Sequence, residues 1–298
     1  MSTPSAHPHP RVSAVIPTYD RRDAVLRALA SVLAQTRAVD EIVVVDDGST
    51  DGSAAAIRTA FPQVTVIEQP NRGVSAARNR GIAATSAEWV AFLDSDDAWQ
   101  PRKIERQLAA LAEQPGMRLC HTDEVWIRNG RRVNPRLRHA KSGGWIYRNC
   151  LELCVISPSA AMVRRDVFTD IGGFDETLPV CEDYDLWLRL CSREAVAYVD
   201  EPLVIKTGGH TDQLSRREWG MDRFRIVALE HMLASGQLTD ADRDATLDML
   251  RRKIGVYMAG ARKRGKRAEV EEYARRLDHL VAPHGSTSIA RDSGAPVT

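Results

Sequence analysis

The stretch Glu41-Ile42-Val43-Val44-Val45 narrows the fold more than any other part of the chain. A continuous β-branched run with no polar alternation describes a strand covered on both faces, as in the middle of a parallel sheet. Two similar apolar runs lie at residues 12–16 and 89–93, with a shorter one at 64–68. Segments with helical spacing separate them. The first places Val25, Leu26, Leu29, Val32 and Leu33 on one face, the second covers about 53–60, and the third opens at Asn71-Arg72-Gly73 and runs to Ala84. Strand and helix in alternation imply right-handed crossovers and a doubly wound α/β sheet, mostly parallel and flanked by helices.

Beyond Pro101, which suits the first turn of a helix continuing through Ile104, Leu108 and Leu111, the pattern changes. Residues 119–127, Asn129-Gly130 and Val133 read as a strand or strand pair with a tight hairpin turn. A strand is expected at 159–163, a short helix at 166–171 ended by Gly172-Gly173, and a helix beginning at Glu182 with acids in its first turn. Two short strands follow, 195–199 and 203–206. From about residue 216 to 280 the chain is polar and helical, with starts at Thr239 or Asp240 and near Lys266. The expected division is a disordered tail (1–10), an α/β domain (11–215, with halves 11–112 and 113–215), a helical C-terminal extension (216–282) and a second tail (283–298).

Net charge is +1, so no global field favours nucleic acid or a membrane as partner. The five cysteines show no C-x-x-C spacing and read as reduced core residues. Residues 1–10 lack the basic start and apolar run of a signal peptide, which gives a cytoplasmic expectation.

Three strand ends carry polar clusters: Thr18 and Tyr19 after the first, Asp46 and Asp47 after the second, and Asp94-Ser95-Asp96-Asp97 after the fourth. In a parallel sheet these share one edge, where ligands of open α/β sheets bind. The three crowded carboxylates of the last cluster repel one another unless a cation intervenes, and a hard divalent ion such as Mn or Mg suits oxygen ligands. The phosphate-cradling motifs G-x-G-x-x-G and G-x-x-x-x-G-K-[ST] are both missing. A phosphate ligand would therefore need a metal held by carboxylates.

Four motifs in order, Val15-Ile16-Pro17-Thr18-Tyr19, Ile42 through Asp51, Asn71-Arg72-Gly73 with Ala77-Arg78-Asn79, and Phe92 through Asp97, resemble the family 2 glycosyltransferases of GT-A fold. The resemblance is close over about residues 12–111 and looser to about Ser215. It implies a nucleotide-sugar donor, a divalent cation, and inversion at the anomeric carbon by direct displacement. Carried over by position, Pro17, Thr18 and Tyr19 would line the base and ribose pocket. Asp46 would bond the base, most readily a uracil N–H and hence a UDP-sugar, while Asp47 would hold its turn. Asn71 and Arg78 would border the nucleotide. Asp94, Ser95 and Asp96 would form the D-x-D, with Asp96 the direct metal ligand and Asp94 a ligand nearer the ribose. Asp97 is open between this site and capping the next helix.

Glu182-Asp183 matches the family's acidic pair on the acceptor side, with Gly172-Gly173-Phe174 and Trp187 completing the pattern. Asp183 is the expected general base, because an acceptor hydroxyl attacks poorly until its proton is taken. His210 would be a further metal or diphosphate ligand. His121 and Asp123 are open between acceptor contacts and structure, and Trp145 is the best-placed sugar platform. The acceptor is expected to be a hydroxyl compound, saccharide or lipid-linked, in polysaccharide or glycoconjugate synthesis. Two basic stretches, Arg128 to Lys141 and Arg251 to Arg267, bring peripheral contact with anionic lipid into view. A nucleotide-sugar-binding protein without transferase activity is the alternative from another class. A nucleotidyltransferase shares the metal–diphosphate logic but calls for a Gly-rich basic loop near the first strand, which this chain lacks.

Overall fold

The computed structural model describes residues 9–134, 137–209 and 218–281. The parallel half alternates as expected: β1 (Val12–Thr18), α1 (Arg22–Leu33), β2 (Glu41–Asp46), α2 (Ser53–Ala60), β3 (Thr65–Glu68), α3 (Val74–Ala84) and β4 (Trp89–Phe92). There follow β5 (Ala98–Trp99), α4 (Lys103–Glu113), β6 (Leu119–Arg128), β7 (Arg131–Val133), α5 (Tyr147–Cys150), β8 (Met162–Arg164), α6 (Asp166–Asp170), α7 (Glu182–Cys191) and β9 (Ala197–Gly208). The C-terminal helices are α8 (Asp222–Ala234), α9 (Asp240–Lys263) and α10 (Arg267–Val281).

One sheet carries all nine strands of the described residues in the order β3-β2-β1-β4-β8-β6-β9-β5, with β7 pairing β6 off this path. The strands β3, β2, β1 and β4 pair parallel, β8 is antiparallel to both its neighbours, and β6 and β9 pair parallel again. Period-two alternation divides β1 between two cores. Val12, Ala14 and Ile16 pack with Val25 and Leu29 of α1 and Ile104 of α4, whereas Val15 joins Phe92, Trp187 and the apolar faces of α8 and α9. The C-terminal helices thus share their core with the sheet: Ile226, Leu229 and Ile254 are fully buried.

Two local readings change. Residues 195–199 and 203–206 form one strand, β9, because the chain stays extended through Asp200-Glu201-Pro202 and β6 takes up the irregularity as register shifts at Asp123. The acidic turn leads into β5 before the helix, pairing Ala98 with Ile205 and Trp99 with Val204, so α4 starts at Lys103 and not at Pro101. The Asn129-Gly130 turn is as expected, both residues having positive φ (50° and 74°), the conformation of a type I′ hairpin.

Behind the acidic turn lies a buried cation. Lys103 is 0% exposed, donates to Gln107 Oε1 at 2.8 Å and sits 4.3 Å from the Trp99 ring centroid. Burial pushes its amine down to about 7 from 10.5. The unfolded chain then binds more protons than the native one between those values, so this group makes stability rise with pH across that window. Lys103→Met is expected to be more stable than the parent at pH 7, by on the order of 1–3 kcal/mol after allowance for relaxation around the site. Urea unfolding at pH 7 and pH 9.5 should show the gap closing as pH rises, and an equal gap at both would remove Lys103 as its cause.

Candidate active site

A cleft of about 690 Å³ opens at the carboxyl ends of β1 and β4. Its size is that of a small-molecule site, roughly 300–1,000 Å³, and it lies where the strand order reverses about β1. Pro17, Thr18 and Tyr19 form one wall as β1 ends. Tyr19 is 42% exposed, while Thr18 Oγ1 is buried with no hydrogen-bond partner among the described residues, leaving a polar atom for a ligand to satisfy. Asn71 lines the cleft from the loop that leads into α3.

Of the two aspartates at the end of β2, Asp47 lines the cleft and Asp46 does not. Asp46 accepts the Ser49 N–H at 2.7 Å within its own turn. Asp47 reaches the cleft wall, and its carboxylate also fixes the loop below by accepting from Gln69 Nε2, the Arg72 N–H and the Gly73 N–H at 2.8–2.9 Å.

Arg78 is the hub of the floor. It rises from α3, is 3% exposed, donates through Nη2 to Asp94 Oδ1 at 2.6 Å and through Nη1 to Glu182 Oε1 at 2.5 Å, and stands 5.1 Å from the Phe174 ring centroid. The motif Gly172-Gly173-Phe174 is explained by this support. Asn79 clasps Phe174 through both its backbone N–H and carbonyl, and a Cβ on Gly173 would come within 2.4 Å of Asn79 Oδ1. The nearby Arg78, Lys206 and Arg21 charges hold the Asp94 carboxyl below the ordinary range against its burial. For Glu182, burial and then Asp183 outweigh Arg78 and push the carboxyl up to about 7.

Asp96 pairs with Arg21 at 2.6 Å. Ser95 lines the cleft beside it. Asp97 does not cap α4. Its Oδ2 accepts from Ser159 Oγ at 2.7 Å and its Oδ1 from the Thr207 N–H at 2.9 Å, tying the turn to β9; burial raises its pKa well above the ordinary value. Ser159 Oγ also accepts the Asp94 N–H at 3.0 Å, so one hydroxyl orients both ends of the turn.

Glu182 and Asp183 begin α7 on the opposite wall. Cys181 before them is held at φ 65°, a left-handed conformation that is costly for a non-glycine residue and aims the helix start at the cleft. Asp183 is half-buried and accepts the Tyr184 N–H at 2.7 Å, while Glu182 is committed to Arg78. Cleft residues that sequence reasoning missed are Arg21 and Lys206. Lys206 ends an apolar run, a visible signal, and stands among Glu124, Asp97, Asp94 and Asp183, whose charges raise its amine pKa against burial.

Other expected residues fall elsewhere. His210 lies outside the described residues. His121 is 0% exposed and bonded to the Ser142 carbonyl at 2.9 Å, a structural role, and Trp145 is 71% exposed but does not line the cleft. Among the described residues no three His, Cys, Asp or Glu side chains converge on a metal position. Asp94 and Asp96 each give one named oxygen to an arginine. This donor set fits a hard cation of the kind held by one or two carboxylates and completed by substrate phosphates, not one held by a closed protein cage. No helix among the described residues is long and apolar enough to cross a membrane.

Residues 13–172 match the model of the family described as glycosyl transferase family 2. The chain is 30% identical over 220 residues to an uncharacterized glycosyltransferase of Rickettsia felis, covering 70% of this chain and 36% of that protein. It is 45% identical over 100 residues to one of Nostoc sp., covering 32% of this chain and 31% of that protein. The chain thus spans about a third of the length of these relatives. In structure it resembles S. aureus TarS in complex with UDP-GlcNAc (TM-score 0.70, 18% identity, 91% of this chain and 81% of that one). It also resembles the mannosyltransferase PcManGT from Pyrobaculum calidifontis in complex with GDP-Man and Mn2+ (TM-score 0.60, 17% identity, 92% and 84%). These likenesses match the mixed sheet and its flanking helices.

Proposed function

We propose that this chain, which belongs to glycosyl transferase family 2, transfers a sugar from a nucleotide-sugar donor to a hydroxyl acceptor with inversion. The observation that carries the reading is one cleft bringing together the Pro17-Thr18-Tyr19 wall, the Asp94-Ser95-Asp96 turn and the Glu182-Asp183 helix start. The nucleotide lies against Pro17, Thr18, Tyr19 and Asn71. Asp47, at the cleft wall, takes over the base contact first expected of Asp46. A UDP-sugar is the preferred donor, in keeping with the UDP-GlcNAc bound to TarS, and the GDP-Man bound to PcManGT makes GDP-sugars the comparison to run.

Asp183 removes the acceptor hydroxyl proton as the acceptor oxygen bonds to the anomeric carbon. The bond from that carbon to the diphosphate breaks on the opposite face, which inverts the centre. A Mn or Mg ion held by Asp96, with Asp94, would supply Lewis-acid stabilisation of the departing diphosphate. Arg78 keeps Asp94 in place, and Arg21 and Lys206 add fixed positive charge beside the leaving group. Glu182 anchors Arg78 and does not act as the base. The alternative, a nucleotide-sugar-binding protein, leaves Asp183 a structural acid that serves the Tyr184 N–H and the Cys154 thiol.

The test is a thermal melt of the full chain with UDP, GDP, their sugars, Mn and EDTA in combination. UDP-sugar with Mn should stabilise by about 2.7 kcal/mol at a hundredfold excess over Kd. Either alone should do much less, because the ion is completed by phosphate oxygens. Stabilisation by UDP-sugar that survives EDTA would remove the metal from the reading, and no stabilisation by any nucleotide would remove the donor site.

A further inference from the structure

Among the described residues many arginines have acidic partners, from Arg11 with Glu41 to Arg276 with Glu230. The hairpin of β6 and β7 sets two arginines, Arg128 and Arg131, directly opposite each other. Arg128, Arg131, Arg132 and Arg138 are exposed, and no acid lies within ion-pair distance of them among the described residues. Register places Arg128 and Arg131 beyond the cleft's edge, on the strand face that carries the cleft residue Lys206. In β6 and β9, Trp126 pairs with Lys206 and Arg128 with Gly208; in the hairpin, Arg128 pairs with Arg131. Residues two apart on a strand share a face, as do cross-strand partners. Lys206, Trp126, Arg128 and Arg131 therefore lie on one face, and Lys206 lines the donor cleft. Strand spacing puts Arg128 Cα roughly 8 Å from Lys206 Cα, about one sugar or phosphodiester unit from the lysine that stands among Asp94 and Asp183.

Like charges placed directly opposite across two strands are destabilising. Arg131 and Arg132 alone would guard the exposed edge strand β7. Arg128 is on the inner strand, stacked 5.6 Å from the Trp126 ring centroid, and edge protection gives no reason for it to face Arg131. Two guanidinium forks side by side suit a phosphate oxyanion, which each can bond through two N–H groups.

We propose that Arg128 and Arg131 form the acceptor's anion subsite, so that the acceptor is a hydroxyl compound carrying a phosphate. This rests on the glycosyltransferase reading for the position of the acceptor, and it holds for a phosphate borne on a soluble chain or on a lipid.

The test uses the full chain, end-labelled inorganic polyphosphate followed by fluorescence anisotropy, and sedimentation with phosphatidylglycerol vesicles against phosphatidylcholine ones. The double variant Arg128→Gln with Arg131→Gln should weaken polyphosphate binding by about tenfold or more, the loss of at least one charge-assisted contact. The control double variant Arg262→Gln with Arg267→Gln removes two exposed charges from the C-terminal helices and should stay within about twofold of the parent. UDP affinity should be the same in all three, and a parent that binds no UDP would count against the donor site, not the hairpin. Arginine-dependent retention on phosphatidylglycerol vesicles puts the phosphate on a lipid, and retention on neither vesicle puts it on a soluble acceptor. Equal loss in both double variants, or none in the hairpin variant, overturns the subsite. So does a clear fall in Tm of the hairpin variant, since relief of like-charge repulsion should leave it unchanged or higher.

Discussion

Asp183→Asn is expected to abolish most sugar transfer while leaving the donor bound. A general base contributes about 10²–10⁴-fold, so kcat should fall by that factor, or about 3–5 kcal/mol in barrier, with nucleotide affinity within about twofold of the parent. The residue's setting explains the split. It starts α7, half-buried, across the cleft from Thr18 and Asp47, where the nucleotide is expected. The isosteric amide can still lie beside the Tyr184 N–H, so folding should be little changed, but it cannot take a proton. Glu182→Gln is the informative companion. Its carboxylate meets Arg78 at 2.5 Å, so its loss should appear first as lost stability. Donor-dependent transfer at the parental rate in Asp183→Asn would leave Asp183 as a helix-terminus acid and favour a binding protein. The measurement is single-turnover transfer with UDP affinity determined in parallel.

How far the sequence carried can be judged at particular residues. The β-branched run of β2, the Asn129-Gly130 turn and the start of α9 at Thr239, whose side chain accepts the Asp242 N–H, are local effects and were legible as such. Which of Asp46 and Asp47 reaches the cleft was not legible. Adjacent residues at a strand end point opposite ways, and the choice turns on where pairing stops. The second pairing layer was also invisible. Asp97 is held by the Thr207 N–H, 110 positions away, through a two-residue strand too short to announce itself. Ser159, in a run read only as strand, turned out to fix both Asp94 and Asp97. Three carboxylates in the acidic turn raised the question of a cation from sequence alone. The fold supplies three fixed ones, Arg21, Arg78 and Lys206, which set the charge that a metal and a diphosphate would meet.

The second large effect is expected at Arg78. Arg78→Met should destabilise the protein by roughly 3–5 kcal/mol, the cost of removing one partner from a buried ion cluster. The methionine fills much of the volume over Phe174, so little of this loss is a cavity. What remains is Asp94 and Glu182 in a cleft floor with the bridging cation gone. The sign with pH follows. Arg78 is the leading charge that holds the folded Asp94 carboxyl below its unfolded value, so its contribution is present above the unfolded pKa and is lost as pH falls through the folded one. In the variant both carboxyls can take protons more readily, so the gap from the parent should be widest at neutral pH and narrow toward pH 4. Arg78→Lys separates charge from geometry. One ammonium cannot reproduce the fork that gives Nη1 to Glu182 and Nη2 to Asp94, and it should recover less than about half of the loss. Urea unfolding of parent, Met and Lys variants at pH 7 and pH 4.5 measures all of this. A gap that stays constant with pH would mean that Arg78 acts by packing on Phe174, and full recovery by lysine would mean that its charge matters and its bridging geometry does not.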